Sequence, residues 1–402
     1  MLDAADAKRA ILAAMPQLET EPVSLEHALG RVLRQDVVTE RDQPPFDRVT
    51  MDGIAIRFAE FEQGRRQFRI VGTQHAGDPA GTLENSTACI EVMTGTTMPT
   101  GADTVIAVER IEATDGSASI EDGYVPVAGQ FIHRRGSDHV EGTKVLAPGC
   151  VVSPMDVAII ASCGLDSVSV SRLPEIRVIS TGNELVPPDG AIEPHQIRMS
   201  NGPALVAMLA SQGFTRSSHD HIPDDPDELG RRIGNHLDDA DVLILSGGVS
   251  MGKADFVPTV LADLGVQVEF HRIAQRPGKP MWFGLGPKGQ VVFALPGNPV
   301  STLVCCRQYV LPALFQASGR PERTPQTVVL GAPVEFKPNL TYFLPARLAI
   351  DERGRAVAMP NPTNTSGDFM ALTGTDGYLE LDATTTKFGE GSALPFHPWA
   401  NP

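Results

Sequence analysis

Residues 241–250 read DVLILSGGVS, and residues 251–265 continue MGKADFVPTVLADLG. The apolar run after Asp241 has the length and the Val, Leu and Ile content of a strand buried on both faces. Gly247 and Gly248 then free the backbone, Ser250 and Asp255 add polar groups, and ADFVPTVLADLG resumes as a helix. The same alternation extends both ways. EIRVIS from Glu175 is a strand, NGPALVAMLASQG a helix closed by Gly213, and PDELGRRIGNHLD a second helix. VVFALPG is a further strand, leading into a long helix from Pro299 to about Ala317. Strands and helices alternating at this spacing predict a mostly parallel, doubly wound α/β sheet.

The rest of the chain has a different texture. At 402 residues it exceeds one hydrophobic core, and two to four domains are expected. Helical periodicity runs from about Ala4 to Met15, and SLEHALGRVL offers Ser24 as the N-cap of a second helix. From Gly53 to Gly149, segments such as TVIAVERI, GYVPVAG and TKVLAPG read as small β structure. SPMDVAIIASCG carries helix signals at both ends, with Ser153 as N-cap, Pro154 at the first position and Gly164 beyond the last. After the linker GRPERTPQ come short strands: TVVLGAPVEF, TYFLPARLAI and GYLELDA. The reading is therefore an N-terminal domain over 1–52 and 141–172 and an inserted β-rich domain over 53–140. An α/β domain over 173–320 and a C-terminal β domain over 325–402 complete it.

A formal charge of −16 argues against wholesale attraction to nucleic acid or to an anionic membrane. An anion would need a local cluster of Arg, Lys and backbone N–H groups. The N-terminus, with Asp3 and Asp6, lacks the basic start of a secretory signal, and no run approaches the roughly 18 apolar residues of a membrane span. Five cysteines, Cys89, Cys150, Cys163, Cys305 and Cys306, have no zinc-site spacing and fit small core residues in a reducing, cytoplasmic setting. Cys305 and Cys306 leave open a reactive thiol.

Ligands of an open α/β sheet gather at the carboxyl ends of its strands. Ser180–Glu184 (STGNE), 246–250 (SGGVS) and 295–299 (LPGNP) all leave strand ends, and 275–280 (QRPGKP) lies between the last two. Consecutive N–H groups at Gly247 and Gly248 can cradle an oxyanion, with Ser250 as a further donor. Asp255, near a helix start, can hold a divalent cation or simply cap the turn. Arg276 and Lys279 suit an anionic ligand or a solvated surface equally, and Asn298 with Pro299 reads as an ordinary helix start. Asp52, Thr94, Arg134, Arg135 and Asp138 sit in turn-like motifs elsewhere. His219 and His221 in HDHIPDDPDEL are read as a solvated strand end in preference to a metal site.

PPFDRVTMDGIAIR, VMTGTTMPTGADTVI, HRRGSD, STGNEL, SGGVSMGKAD, RPGKP and LPGNPVS occur in the order found in molybdopterin molybdenumtransferases. The chain resembles this family, the bacterial MoeA proteins and the E domain of gephyrin, from about residue 5 to the C-terminus. The resemblance implies a multidomain α/β protein and a homodimer. Its parts would be a central doubly wound, molybdopterin-binding, MogA-like domain, an inserted β-rich domain, an elongated N-terminal domain and a small C-terminal β-barrel. It implies insertion of molybdate into adenylylated molybdopterin, with Mg²⁺ and release of AMP. Catalytic roles would fall to Asp52, Glu184, Asp255 and Lys279, with Glu184 and Asp255 on the metal. Thr94, Arg135, Asp138, Gly247, Gly248, Ser250, Arg276, Pro296 and Pro299 would bind substrate, those before residue 140 coming from the second subunit. Implied partners are a molybdopterin adenylyltransferase and molybdoenzymes that receive the cofactor. The dithiolene sulfurs belong to the substrate, so no protein cysteine is required.

The chain departs from the family pattern at Arg48, Val49 and Thr50 (in place of N-S-A), at Ile54 (for Tyr), at Arg276 (for Lys) and at Asn183 (for Asp). Two other readings use the same residues. A pterin adenylyltransferase would need the α/β domain alone, and a non-catalytic pterin-binding scaffold would need no carboxylates on the rim.

Overall fold

The computed structural model describes residues 1–249, 256–321, 324–336 and 339–400. Contacts divide the chain into two compact units. One comprises Met1–Arg34, Pro148–Val152 and Ser169–Pro402, the other Gln35–Ala147 and Ser153–Val168.

The first unit opens with helix α1 (Ala4–Ala14), capped by Asp3, whose side chain accepts from the Asp6 amide at 2.6 Å. Its sheet contains β1 (Ile176–Thr181), β2 (Ser217–Ile222), β3 (Val242–Ser246), β4 (Gln267–His271), β5 (Trp282–Leu285) and β6 (Val291–Leu295). The spatial order is β2-β1-β3-β6-β5-β4. The first four strands are parallel, while β5 and β4 close one edge antiparallel. Helices α2 (Asn201–Ser211), α3 (Pro226–Asp239), α4 (Val257–Asp263) and α5 (Pro299–Cys305) flank the sheet.

Alternation along the strands explains both faces. Ile176, Val178, Val242, Ile244, Val291 and Phe293 point to one side, where Ile11 of α1, Leu205 and Leu209 of α2 and the helices after Pro299 cover them. Ile179, Leu243, Leu245, Val292 and Ala294 point to the other, under Leu229 and Ile233 of α3 and Val260 and Leu261 of α4. Each fully buried Val, Leu, Ile or Phe side chain among them contributes about 1.5–3 kcal/mol. The sheet is therefore doubly wound, as the apolar runs predict, and order reverses between β1 and β3. The long helix from Pro299 is broken into α5, a wide π turn at Cys306–Val310, and a last stretch at Leu311–Ala317. Pro312 has no N–H to return to the turn before it, which accounts for the widening.

The C-terminal strands β7 (Gln326–Leu330), β8 (Thr341–Ile350), β9 (Ala356–Pro360), β10 (Gly377–Leu381) and β11 (Ala393–Pro398) run β8-β9-β7-β11-β10 and return to β8. They form a closed small barrel around Leu344, Leu379, Leu394 and Phe396. The Tyr378 hydroxyl, 2.8 Å from Gln308 Oε1, and Arg307 Nε, 2.6 Å from the Pro398 carbonyl, tie the barrel to the helical segment after Pro299.

The second unit is built on a mixed six-stranded sheet in the order Thr104–Ala107, Gly53–Ile56, Ala88–Val92, Gln67–Gln74, Ser117–Ile120, Ile111–Thr114. Ala55 faces one apolar cluster, Ile54 and Ile56 the other. The Tyr-to-Ile departure at 54 is thus a core position: Ile54 is fully buried with Phe61, Phe68 and Ile106. Helix Pro154–Ser162 has the expected Ser153 cap, completed by Asp156 as a capping box.

Two expectations fail. SLEHALGRVL forms only a 3₁₀ turn, Leu25–His27, because Val32 and Leu33 pair as bridges with Val151 and Val170. GYVPVAG is turn, not strand: the Val127 amide donates to the Gln130 side chain at 3.0 Å, the Gly129 amide to the Thr104 hydroxyl at 3.0 Å and the Tyr124 amide to Glu121 O at 3.1 Å. None of the five cysteines forms a disulfide, and burial pushes the Cys306 thiol up to about 12 and the Cys305 thiol higher, so neither of these two is a ready nucleophile. Among the described residues no helix is long and apolar enough to cross a membrane.

Gly53 is the tightest backbone approach in the second unit: a Cβ there would lie 1.9 Å from the Ile106 carbonyl oxygen. Gly53→Ala is expected to destabilise the protein by about 3 kcal/mol in urea unfolding. Gly72→Ala, in the same sheet with open space around it, is expected to stay within about 0.5 kcal/mol of wild type.

Candidate functional site

The parallel register brings three strand ends to one level, with Ser180 beside Ser246 and Ser246 beside Leu295. The loops that follow touch through backbone. Gly247 N donates to Leu295 O at 3.2 Å, and a Cβ on Gly247 would meet Thr181 O at 2.7 Å. One on Gly297 would lie 3.4 Å from the Gly247 Cα. Gly247 and Gly248 have φ of 106° and 65°, so the turn requires glycine on conformational grounds as well. Beside it the Thr181 hydroxyl is buried with no hydrogen-bond partner among the described residues.

Asn201, in the first turn of α2, holds this rim together. Its side-chain amide donates to Ser246 Oγ at 2.9 Å and to Gly297 O at 2.7 Å. Sequence reading did not single it out. An asparagine at a helix start is commonplace, and only the two acceptors, 45 and 96 residues away, distinguish it.

Glu184 is exposed, and its carboxylate folds back over Gly182, 2.6 Å from where a Cβ on that residue would stand. The carboxylate has no hydrogen-bonding or ionic partner among the described residues, which fits an oxygen donor for a hard cation. Asn183 Oδ1 accepts from the Asp224 amide at 3.1 Å, so the departure from aspartate there serves a turn contact. Among the described residues no three His, Cys, Asp or Glu side chains are grouped to hold a metal. Ser250 and Asp255 lie outside the described residues.

QRPGKP is stitched to the barrel, since Gln275–Arg276 pairs in parallel with Thr341 and Tyr342 of β8. Buried Gln275 braces it, donating to Pro277 O at 3.0 Å and accepting from the Tyr309 hydroxyl. Arg276 and Lys279 are exposed on a cleft of about 390 Å³ that Pro296, Asn298, Tyr342 and Ser366 also line. The Arg276 guanidinium lies 5.2 Å over the Tyr342 ring. Neither cation has an acidic partner among the described residues. Asn298 does not cap α5 with its side chain, which donates to Ser366 Oγ at 2.7 Å, while Pro299 takes the first helical position.

In the second unit, Asp52 Oδ1 accepts from the Thr94 amide at 2.6 Å and from the Thr94 hydroxyl at 2.7 Å. These bonds, the amide's foremost, hold the Asp52 carboxyl below the usual range. Arg135 binds Asp42 at 2.7 Å through Nε and donates its amide to Asp47, which also pairs with Arg134 at 2.6 Å. His133 bridges Asp138 (2.9 Å) and Arg48 (3.1 Å), giving the departure at 48 a partner. Thus Gly247, Gly248, Pro296 and Pro299 meet at one rim, Arg276 and Lys279 share a cleft with Pro296, and Asp52 pairs with Thr94.

The family model of the MoeA N-terminal region (domain I and II) matches residues 2–164. A probable molybdopterin binding domain matches 177–316, and the MoeA C-terminal region (domain IV) matches 327–399. The chain is 38% identical over 400 residues to a molybdopterin molybdenumtransferase of Synechocystis sp., covering 99% of this chain and 100% of that one. It is 29% identical to the Staphylococcus aureus protein of the same name, over 96% and 94% of the two chains. Two crystal structures of the molybdopterin biosynthesis MoeA protein from Pyrococcus horikoshii superpose at TM-scores of 0.85 and 0.81, with 29% and 26% identity. They cover 100% and 99% of this chain and all of their own.

The Asp52–Thr94 pair gives a titration test. A carboxyl with a depressed folded pKa adds stability above its unfolded pKa and loses it as pH falls through the folded one. Thr94→Val keeps the amide bond and removes the hydroxyl bond. The Asp52 carboxyl resonance in NMR is expected to titrate below the usual range in wild type and part of the way back toward it in the variant. Equal midpoints would refute the hydroxyl's role.

Proposed function

The chain belongs to the MoeA family, and from that premise we propose that it inserts molybdate into adenylylated molybdopterin, releasing AMP, in molybdenum cofactor biosynthesis. The observation that carries this reading is the pair of cations, Arg276 and Lys279, without acidic partners among the described residues, on a cleft beside Pro296 in a chain of net charge −16. Tetrahedral molybdate and a phosphoanhydride are both anions, and local cations favour them where the protein as a whole does not.

In this reaction water attacks the phosphoanhydride, so that AMP leaves and the pterin keeps its own phosphate, and the substrate's two dithiolene sulfurs replace oxygens of molybdate, which depart as water. Lys279 and Arg276 bind and orient the anionic groups, and the Gly247–Gly248 backbone admits a phosphate or the pterin close to the rim. Pro296 and Pro299 shape that wall, and Ser250 adds a hydroxyl donor. Glu184 and Asp255 would hold Mg²⁺, which supplies charge neutralisation at the phosphoanhydride when bound. The Glu184 carboxylate, free of other partners among the described residues, fits that role. Thr94, Arg135 and Asp138 are assigned to substrate binding, and Asp52, as an ionised carboxylate, to a catalytic role. Cytoplasmic placement accords with five cysteines outside any disulfide.

The test follows AMP release from adenylylated molybdopterin with Mg²⁺, with and without molybdate. Release stimulated by molybdate, and reduced to background by Asp255→Ala, is the expected result. Tight substrate binding without release would favour a scaffold, and ATP-dependent adenylylation of the pterin would favour the preceding enzyme.

The homodimer is part of the same proposal. Sedimentation at micromolar concentration is expected to give twice the chain mass of 42.9 kDa, and a monomer alone would count against it.

A further inference from the structure

Two histidines on the edge strand stand apart from every role above. Alternate residues of β2 share a face, and there His219 and His221 lie against the end of β1. His219 Nε2 is 2.9 Å from Ser180 Oγ, and His221 Nε2 is 2.9 Å from the Gly182 carbonyl oxygen. Each ring reaches two residues beyond its own register partner, since His219 pairs with Val178 and His221 with Ser180. A carbonyl only accepts, so His221 donates from Nε2. Asp220, between them, turns to the other face and binds Arg232 and His236 of α3.

Neither ring is loosely solvated. A Cβ on Gly202 would lie 2.0 Å from His219 Nε2, so this imidazole is wedged between Ser180 and the first turn of α2, next to the rim residue Asn201. Burial lowers its pKa, in keeping with a neutral ring. The Gly182 peptide that His221 grips is the one over which the Glu184 carboxylate folds. With φ of 144° at Gly182, that peptide has conformations open to it that no other residue would allow.

We propose that His219 and His221 are positioning residues: a two-point clamp on Ser180 and Gly182 that fixes where Glu184 presents its carboxylate. The clamp's bearing on catalysis rests on the proposed transferase reading, whereas its hold on the loop does not. Both histidines work through the loop, and neither touches substrate.

The test compares wild type, His219→Ala, His221→Ala and His221→Gln, the last keeping an N–H donor at the position of Nε2. Unchanged thermal midpoints identify variants that fold normally. Hydrogen exchange in the free protein reads the clamp directly. Amides at 182–184 are expected to exchange about tenfold faster in the alanine variants, the equivalent of one lost hydrogen bond, and to recover in His221→Gln. Equal exchange in all four proteins would overturn the clamp. In AMP release, the Mg²⁺ concentration for half-maximal rate is expected to rise about tenfold in His221→Ala and to recover with Gln. An unchanged Mg²⁺ midpoint with only a lower maximal rate would overturn the positioning of Glu184. Were no protein to release AMP while exchange followed the expected pattern, the transferase reading would fail and the clamp would stand.

Discussion

The parallel register of β1, β3 and β6 is the constraint on which the rest of the first unit depends. It sets Ser180, Ser246 and Leu295 at one height, so three glycine-bearing loops leave the sheet side by side. Their backbones come so close that side chains would not fit between them, and one amide, Asn201, then satisfies groups on two of the loops. Shifting any of these strands by one residue would turn its apolar set to the wrong face. The burial that stabilises the sheet is thus also what aligns its rim. The reversal of strand order between β1 and β3 opens the crevice where α/β sheets place ligands.

The cleft next to this rim has a different origin. Arg276 and Lys279 are carried by a loop that adds a short strand to the barrel sheet, so their positions depend on β8 as much as on the α/β sheet. Gln275, buried and bonded on both sides, keeps the loop rigid from beneath. Tyr342 gives Arg276 an aromatic face to lie on, a geometry that lysine would use less well. This gives the departure at 276 a physical reason. Both cations are exposed, and neither has an acidic partner among the described residues.

The second unit shows the same economy. Gly53 lets two strands approach so closely that the Ile106 carbonyl occupies the space of a side chain. The next residue back, Asp52, is left at the strand's start to accept two bonds from Thr94. Ile54 follows into the core, so the replacement of a tyrosine there alters packing. Arg48 is answered by His133, a compensation visible only once the strands pair.

Much of this was legible in the sequence because local patterns carried it. Period-two and unbroken apolar runs identified β1, β3 and β6, and Ser153, Pro154 and Gly213 marked helix ends through backbone chemistry that acts within a few residues. The failures were equally physical. SLEHALGRVL has helical spacing, but bridges to distant residues drew Val32 and Leu33 into extended structure. The glycine turns and the cations were found because their compositions are unusual. Asn201, Gln275, His219 and His221 were missed or given bland roles because they are ordinary residues whose partners lie far off in sequence. The sequence by itself determined most kinds of element and the family, and it singled out candidate residues, since propensity, periodicity and motif are local properties. Only the tertiary structure decided which of those residues meet and what holds them, because strand register and side-chain hydrogen bonds join positions that no short stretch of chain can relate.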